Sequence, residues 1–312
     1  MEAGVGAQSA RTPGSRLVDG VGPRPLALAV VRDYITLTKP RIISLLLLTT
    51  VATMFVADPA GPPVSTILWT MLGGYLAAGG AGAINHYLDR DRDARMARTR
   101  SRPLVSGRIE PVHGLVFGVT LGIAAFLQLW LTVNLLAAAL AMAVLLGYVF
   151  VYTMWLKPLT PQNIVIGGAA GAVPPLVGWA AATGSLSADA LWPFAIVFFW
   201  TPPHFWALSL LIKDDYARTG VPMLPVVKGE AETRRQIVLY SLLLAGLSVI
   251  PAFTGLFGGI YLAAAVLLGA GFAGLALRLR ARPGRAAALR LYLASLAYLA
   301  LLFCAMALDR VI

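Results

Sequence analysis

The stretch Thr66-Ile-Leu-Trp-Thr-Met-Leu-Gly-Gly-Tyr-Leu-Ala-Ala-Gly-Gly-Ala-Gly-Ala-Ile-Asn85-His-Tyr-Leu-Asp89-Arg-Asp-Arg-Asp93 decides how this chain is built. Up to His86 it holds no Asp, Glu, Lys or Arg. That run matches the about 20 apolar residues a helix needs to cross a bilayer core. The rest is almost entirely charged. The segment therefore reads as a membrane helix that carries polar chemistry to the surface. Asn85, Asp89 and Asp93 recur at i, i+4 and i+8. Each step of four drifts only about 40°, so the three share one helix face.

Eight further apolar stretches surround it, at roughly 40–57, 113–133, 135–155, 163–182, 191–212, 237–255, 257–277 and 288–308. The chain is 58% hydrophobic and only 12% charged, with a mean hydropathy of +0.77. Soluble domains carry about 25% charged residues. The expected fold is all-α: a polytopic membrane protein of about nine transmembrane helices around a central cavity. The net charge of +11 would suit a nucleic-acid binder, but with this hydropathy it reads as the positive-inside bias. With the N-terminus placed in the cytoplasm, nine spans put 24 of the 25 Lys and Arg on one side and leave only Arg310 opposite. A miscounted span would scatter them.

Residues 1–33 are rich in Gly, Pro and Arg and lack the apolar core of a secretory signal. They read as a disordered cytoplasmic tail before a membrane domain at 34–312. Cys304, the single cysteine, reads as a small packing residue. The pairs Pro174–Pro175 and Pro202–Pro203 should kink their helices or mark helix starts, freeing backbone carbonyls that only protein or a cavity can cover.

The charged ends suggest the chemistry. Two carboxylates one turn apart, with an amide above them, form an all-oxygen site. Such a site suits Mg²⁺, which takes one or two carboxylates and completes its shell with water and phosphate. Arg95, Arg98, Arg100 and Arg102 follow directly, and arginine grips phosphate oxygens in pairs. Together they describe a metal-bridged diphosphate; the bland alternative is a positive-inside loop whose acids merely pair with arginines. A second cluster, Lys213, Asp214, Asp215 and Arg218, ends the sixth apolar stretch and would supply carboxylates from an opposite wall. His204 lies deeper. On a continuous helix it would share a face with Asp215, separated by roughly 16 Å. A polar residue at that depth is a functional candidate by default.

The motif Asn85-x3-Asp89-x3-Asp93 resembles the first aspartate-rich motif of the intramembrane prenyltransferases of the UbiA superfamily. Longer stretches resemble its protohaem IX farnesyltransferase (haem O synthase) branch. These are Leu37-Thr-Lys-Pro-Arg-Ile42, Met96-Ala-Arg-Thr-Arg-Ser-Arg-Pro103, Asn163 to Pro175, Trp200-Thr-Pro-Pro-His-Phe-Trp206, and Asp214-Asp-Tyr through Gly220-Val-Pro-Met-Leu-Pro225. In the superfamily's second motif, D-x3-D, the matching positions here are Ile212 and Tyr216, with Asp214 and Asp215 between them.

The resemblance implies a nine-helix UbiA-type bundle in a bacterial plasma membrane, with a mitochondrial inner membrane as the alternative. It implies farnesyl diphosphate and haem b as substrates, haem O and diphosphate as products, and a haem A synthase or terminal oxidase downstream. In that reading Asp89, Asp93 and Asp215 hold Mg²⁺, with Asn85 as ligand or orienter. Arg98 and Arg102 stabilise the leaving diphosphate. Lys39, Arg41, Arg100, Lys157, Lys213 and Asp214 line the substrate, and His204 contacts the haem. Two rivals are a related prenyltransferase acting on a quinone-precursor aromatic acid and a transporter. The Trp-Thr-Pro-Pro-His-Phe-Trp stretch argues against the first. Charges clustered on one side only argue against the second.

Overall fold

The structure, a computed structural model, describes residues 26–312. Among these, nine helices are long and apolar enough to span a membrane: Pro40–Ala57, Val64–Asp93, Pro111–Thr132, Leu135–Leu159, Asn163–Thr183, Ala188–Leu211, Gly229–Phe253, Gly259–Ala281 and Arg285–Val311. They are called here the first to ninth spans. Local chemistry marks several starts. Proline occupies the first turn of the first and third spans, where its missing N–H costs nothing. Asn134 caps the fourth by accepting from Ala137 N–H at 2.8 Å.

Three expectations need correction. The sequence reading ended a disordered tail at 33, but a helix already runs over Leu26–Thr38. Its apolar Leu28, Val31 and Ile35 stay exposed, as on a helix lying along a membrane surface. The remainder of that expected tail, residues 1–25, lies outside the described residues. Cys304 is exposed on the bundle's outer surface rather than packed inside. Pro202 and Pro203 do not mark a helix start, the second of the two outcomes expected of them: they lie within a helix that continues to Leu211. The Pro174 pair behaves as expected: the fifth span breaks at Val173 and restarts at Pro174.

Consecutive spans lie side by side, and the ninth returns to pack on the first. The break in the fifth span shapes this ring. Its second half, Pro174–Thr183, presses against the first span. There a Cβ on Gly178 would collide with the Thr50 carbonyl oxygen, so only glycine fits. Its first half, Asn163–Ala172, packs on the fourth and sixth spans instead. The bundle is thus drawn together away from the basic residues, where the fifth span's second half meets the first span. The second span continues to Asp93, 30 residues in all. At about 1.5 Å per residue it outruns a hydrocarbon core of about 30 Å, which brings Asp89 and Asp93 to the basic face.

The opposite face has its own latch. Asp309, near the end of the ninth span, accepts from Gly258 N–H at 2.5 Å and Tyr261 N–H at 3.0 Å, capping the start of the eighth span. Arg310 donates to the carbonyls of Val56 and Leu256, both at 3.3 Å, covering the end of the first span. Among the described residues, the single basic residue on that face therefore has structural partners that offset its unfavourable side.

Candidate active site

The site is built around the exit of the second span. Asn85, Asp89 and Asp93 are all buried, at 4%, 2% and 5% exposure. Buried carboxylates this close need partners, and each has them. Asn85 Nδ2 donates to Asp89 Oδ2 at 2.8 Å and to Thr153 Oγ1 at 3.3 Å. Its Oδ1 accepts from Lys39 Nζ at 2.7 Å. Asp89 Oδ2 also accepts from Lys157 Nζ at 2.5 Å, and its Oδ1 from Arg92 at 3.1 Å. Asp93 pairs with Arg102, and its backbone carbonyl accepts from Thr99 Oγ1 at 2.9 Å.

Two backbone features aim the lysines. Lys39 sits in the left-handed region (φ 58°, ψ 54°) between the helix Leu26–Thr38 and the first span. It is the one non-glycine residue with positive φ among the described residues, a conformation that costs roughly 1–2 kcal/mol and that surrounding structure must hold. Burial, reinforced by Arg102 and Lys157, lowers the Lys39 pKa to about 7. The fourth span turns into a π-helix over Gly147–Leu156, an irregularity that gathers at functional sites. It delivers Thr153 to Asn85 and Lys157 to Asp89, and stacks Tyr148 on Tyr152 with centroids 5.4 Å apart.

The second cluster is arranged differently. The sixth span ends at Leu211, and Ile212 leaves helical geometry (φ −124°, ψ 26°) before a short helix, Lys213–Thr219. That break ends the expected alignment of His204 with Asp215, because the helical register does not carry across it. Asp215 is buried and pairs with Arg218; Asp214 is exposed. Lys213 reaches Glu230 at 3.0 Å, away from the first cluster. Tyr216 joins the two clusters. It is buried, its phenol is pushed up chiefly by that burial, and Arg98, Asp89, Arg102 and Asp215 all act on it electrostatically. It occupies one of the two positions where the second motif would hold an aspartate. Arg98 and Arg100 are exposed in the loop, and Arg41 is exposed on the first turn of the first span.

His204 has a separate environment. Its ring is stacked between Trp200 and Tyr292, with centroids at 4.2 and 4.9 Å. Its Nδ1 lies 2.6 Å from Ser295 Oγ. The Ser295 hydroxyl already donates to the Tyr292 carbonyl at 2.6 Å, so its oxygen accepts and His204 Nδ1 carries the hydrogen. In the neutral ring, Nε2 then holds a lone pair.

Sequence reasoning missed Arg92, Thr153, Tyr148, Tyr152 and Tyr216. Arg92 had a signal, three residues from Asp89. Tyr216 had one as well, its place in the second motif; Tyr148, Tyr152 and Thr153 had none, because a π-helix changes which residues share a face.

The donor set fits a hard divalent ion in one particular way. Asp89 and Asp93 offer carboxylate oxygens that cations now neutralise. Among the described residues, no three His, Cys, Asp or Glu side chains converge as a metal cage. A Mg²⁺ ion here would complete its shell with water and phosphate oxygens.

Comparison with known proteins bears on this geometry. The profile of the UbiA prenyltransferase family matches residues 46–306. The protoheme IX farnesyltransferase of Roseiflexus sp. (strain RS-1) is 55% identical over 91% of this chain and 53% of its own length. The chain spans about half the length of the first curated relatives it matches. Proteins of the same name from Symbiobacterium thermophilum (55% identical) and Streptomyces avermitilis (49%) are matched over 94% and 96% of their lengths, and over 90% and 92% of this chain. Among solved structures, a digeranylgeranylglyceryl phosphate synthase superposes with a TM-score of 0.75 at 17% identity, covering 91% of this chain and 99% of its own. A UbiA homolog from Archaeoglobus fulgidus bound to DMAPP and Mg²⁺ superposes with a TM-score of 0.68 at 15% identity, covering 89% and 99%. At these identities the structures speak for the fold.

Proposed function

Because the chain belongs to the UbiA prenyltransferase family, we propose that it transfers a farnesyl group from farnesyl diphosphate to a vinyl group of haem b. Water addition then gives haem O, with diphosphate as the other product. The observation that carries this reading is the 55% identity to a protoheme IX farnesyltransferase matched almost end to end. The paired acids and bases around Asp89 supply the physical support.

Lys157 and Arg92 neutralise Asp89, Arg102 neutralises Asp93, and Lys39 donates to the Asn85 amide oxygen. A diphosphate entering with Mg²⁺ brings oxygens for these cations and a metal for the carboxylates, so partners exchange without leaving a buried charge alone. Asp89 and Asp93, with Asp215 from the second cluster, would hold Mg²⁺, which would supply charge withdrawal from the leaving group. Asn85, fixed between Lys39 and Asp89, orients that exchange. Arg98 and Arg102 hold the departing diphosphate, with Arg41, Arg100, Lys213 and Asp214 at the rim. Ionisation yields an allylic cation; the haem vinyl carbon attacks it, and water captures the resulting cation and releases a proton. The stacked Tyr148 and Tyr152 and the buried Tyr216 keep water from that allylic cation. His204, with its Nε2 lone pair, is a ligand for the haem iron.

The basic face is cytoplasmic in this proposal, the membrane is the bacterial plasma membrane, and haem O passes to a haem A synthase or a terminal oxidase. The test is direct. Purified protein is given Mg²⁺, farnesyl diphosphate and haem b, and products are read by mass spectrometry. A haem O mass supports the reading. Farnesylated aromatic acid from a quinone precursor, with haem b untouched, would replace it with the sister activity.

A further inference from the structure

We propose that the hairpin of the eighth and ninth spans carries, on its outer face, a binding site for the phosphate headgroup of an anionic phospholipid. The proposal is independent of the prenyl-transfer reading.

Arg278 on the eighth span, Arg282 just past its end and Arg290 on the ninth line one cleft of about 250 Å³, with Leu275, Pro283 and Ala287. The chain has no Asp or Glu between Glu232 and Asp309. Among the described residues, none of the hairpin's five arginines meets a carboxylate. Elsewhere on the same face, Arg92, Arg102, Arg108, Arg218, Arg234 and Arg235 each pair with one. The positive-inside rule accounts for arginines at these helix ends. It does not account for three of them converging on one cleft with no acid among them. Guanidinium groups so arranged match phosphate oxygens, and basic pockets between membrane helices recognise lipid head groups. The first turn of the ninth span closes the cleft, adding backbone N–H groups that lack helical acceptors.

Two observations select a lipid. Leu267, eleven residues before Arg278 and so on nearly the same helix face, is 73% exposed. Leu293, seven residues after Ala286, is 53% exposed. An apolar track therefore runs from the cleft into the bilayer, as an acyl chain requires. Arg285 turns the other way, donating to the Leu211 carbonyl at 3.0 Å. The ninth span's inner face carries the Tyr292 and Ser295 that hold His204. The cleft is thus turned away from that histidine.

The test titrates the purified full chain in detergent with phosphatidylglycerol or phosphatidylcholine and counts bound lipid by native mass spectrometry. The wild-type protein should retain one phosphatidylglycerol in preference to phosphatidylcholine. Arg278→Gln/Arg282→Gln/Arg290→Gln should weaken that retention on the order of a hundredfold, at about fivefold per surface charge. The charge-matched control Arg32→Gln/Arg234→Gln/Arg235→Gln should leave it unchanged. Arg290→Gln alone, at an exposed position, should cost about fivefold and keeps the test decisive if the triple variant misfolds. Equal retention by the triple variant and wild type, or equal loss in the control, overturns the site. Displacement of the lipid by equimolar inorganic phosphate overturns its assignment to a lipid.

Discussion

The two acidic clusters look alike in sequence and differ in how they are held. Asp89 and Asp93 project from a continuous 30-residue helix, and beside the nearby Arg92 and Arg102 their network draws on distant partners: Lys157 at the end of the fourth span and, through Asn85, Lys39 before the first. Asp215 stands on a seven-residue helix behind a break and has one ion-pair partner, Arg218, three residues away. A cluster tied to several elements is preorganised, which is how electrostatic catalysis lowers a barrier. A cluster whose acids are tied only within one short helix is held more loosely and depends on its ligand for final placement. In the proposed reaction, this difference gives the chemistry to the first cluster and a supporting grip to the second.

The strongest way to break this comparison is Asp89→Ala. It should reduce turnover at least about a thousandfold. It should also destabilise the fold by about 3–5 kcal/mol, because Lys157 loses its buried counter-charge. Haem O formation by the purified variant at near wild-type rate would end the claim that the first cluster dominates. Asp215→Asn should cost less, about ten- to a hundredfold, and mainly in the KM for the diphosphate. A loss as large as that of Asp89→Ala would make the clusters equals.

His204→Ala sharpens the picture from outside both clusters. Haem affinity, followed by the Soret band, should fall about tenfold or more while farnesyl diphosphate binding holds; unchanged haem spectra would return His204 to a packing role. Mg²⁺ measured by calorimetry should bind at least about tenfold tighter in the presence of diphosphate than alone, since the acids form no cage. Equal affinity would mean a preformed metal site. The smallest effects belong to the rim: Asp214→Asn and Lys213→Gln should each keep kcat/KM within about twofold, and loss of the exposed Lys213–Glu230 pair should cost at most about 1 kcal/mol.

These contrasts mark what the sequence could convey. Nine spans, their order and the face shared by Asn85, Asp89 and Asp93 were legible because hydropathy and the 3.6-residue period are local properties. Their family resemblance was legible because several stretches match in order, from Leu37 to Pro225. The break at Ile212 was not, since no Gly or Pro announces it. The π-helix that aims Lys157 and the left-handed turn at Lys39 were not either, because tertiary packing imposes both. The helix from Leu26 was obscured by the Gly/Pro-rich stretch before it.

The latch formed by Asp309 and Arg310 has a consequence for assembly. The ninth span supplies side chains that finish the eighth span's first turn and the first span's last turn. Because a chain is inserted in order, the earliest span waits for the latest before its exposed carbonyls and open flank are covered. Until then that flank faces lipid, and a partly made bundle is held only by neighbour-to-neighbour contacts. The final helix therefore closes the ring, as a buckle closes a belt.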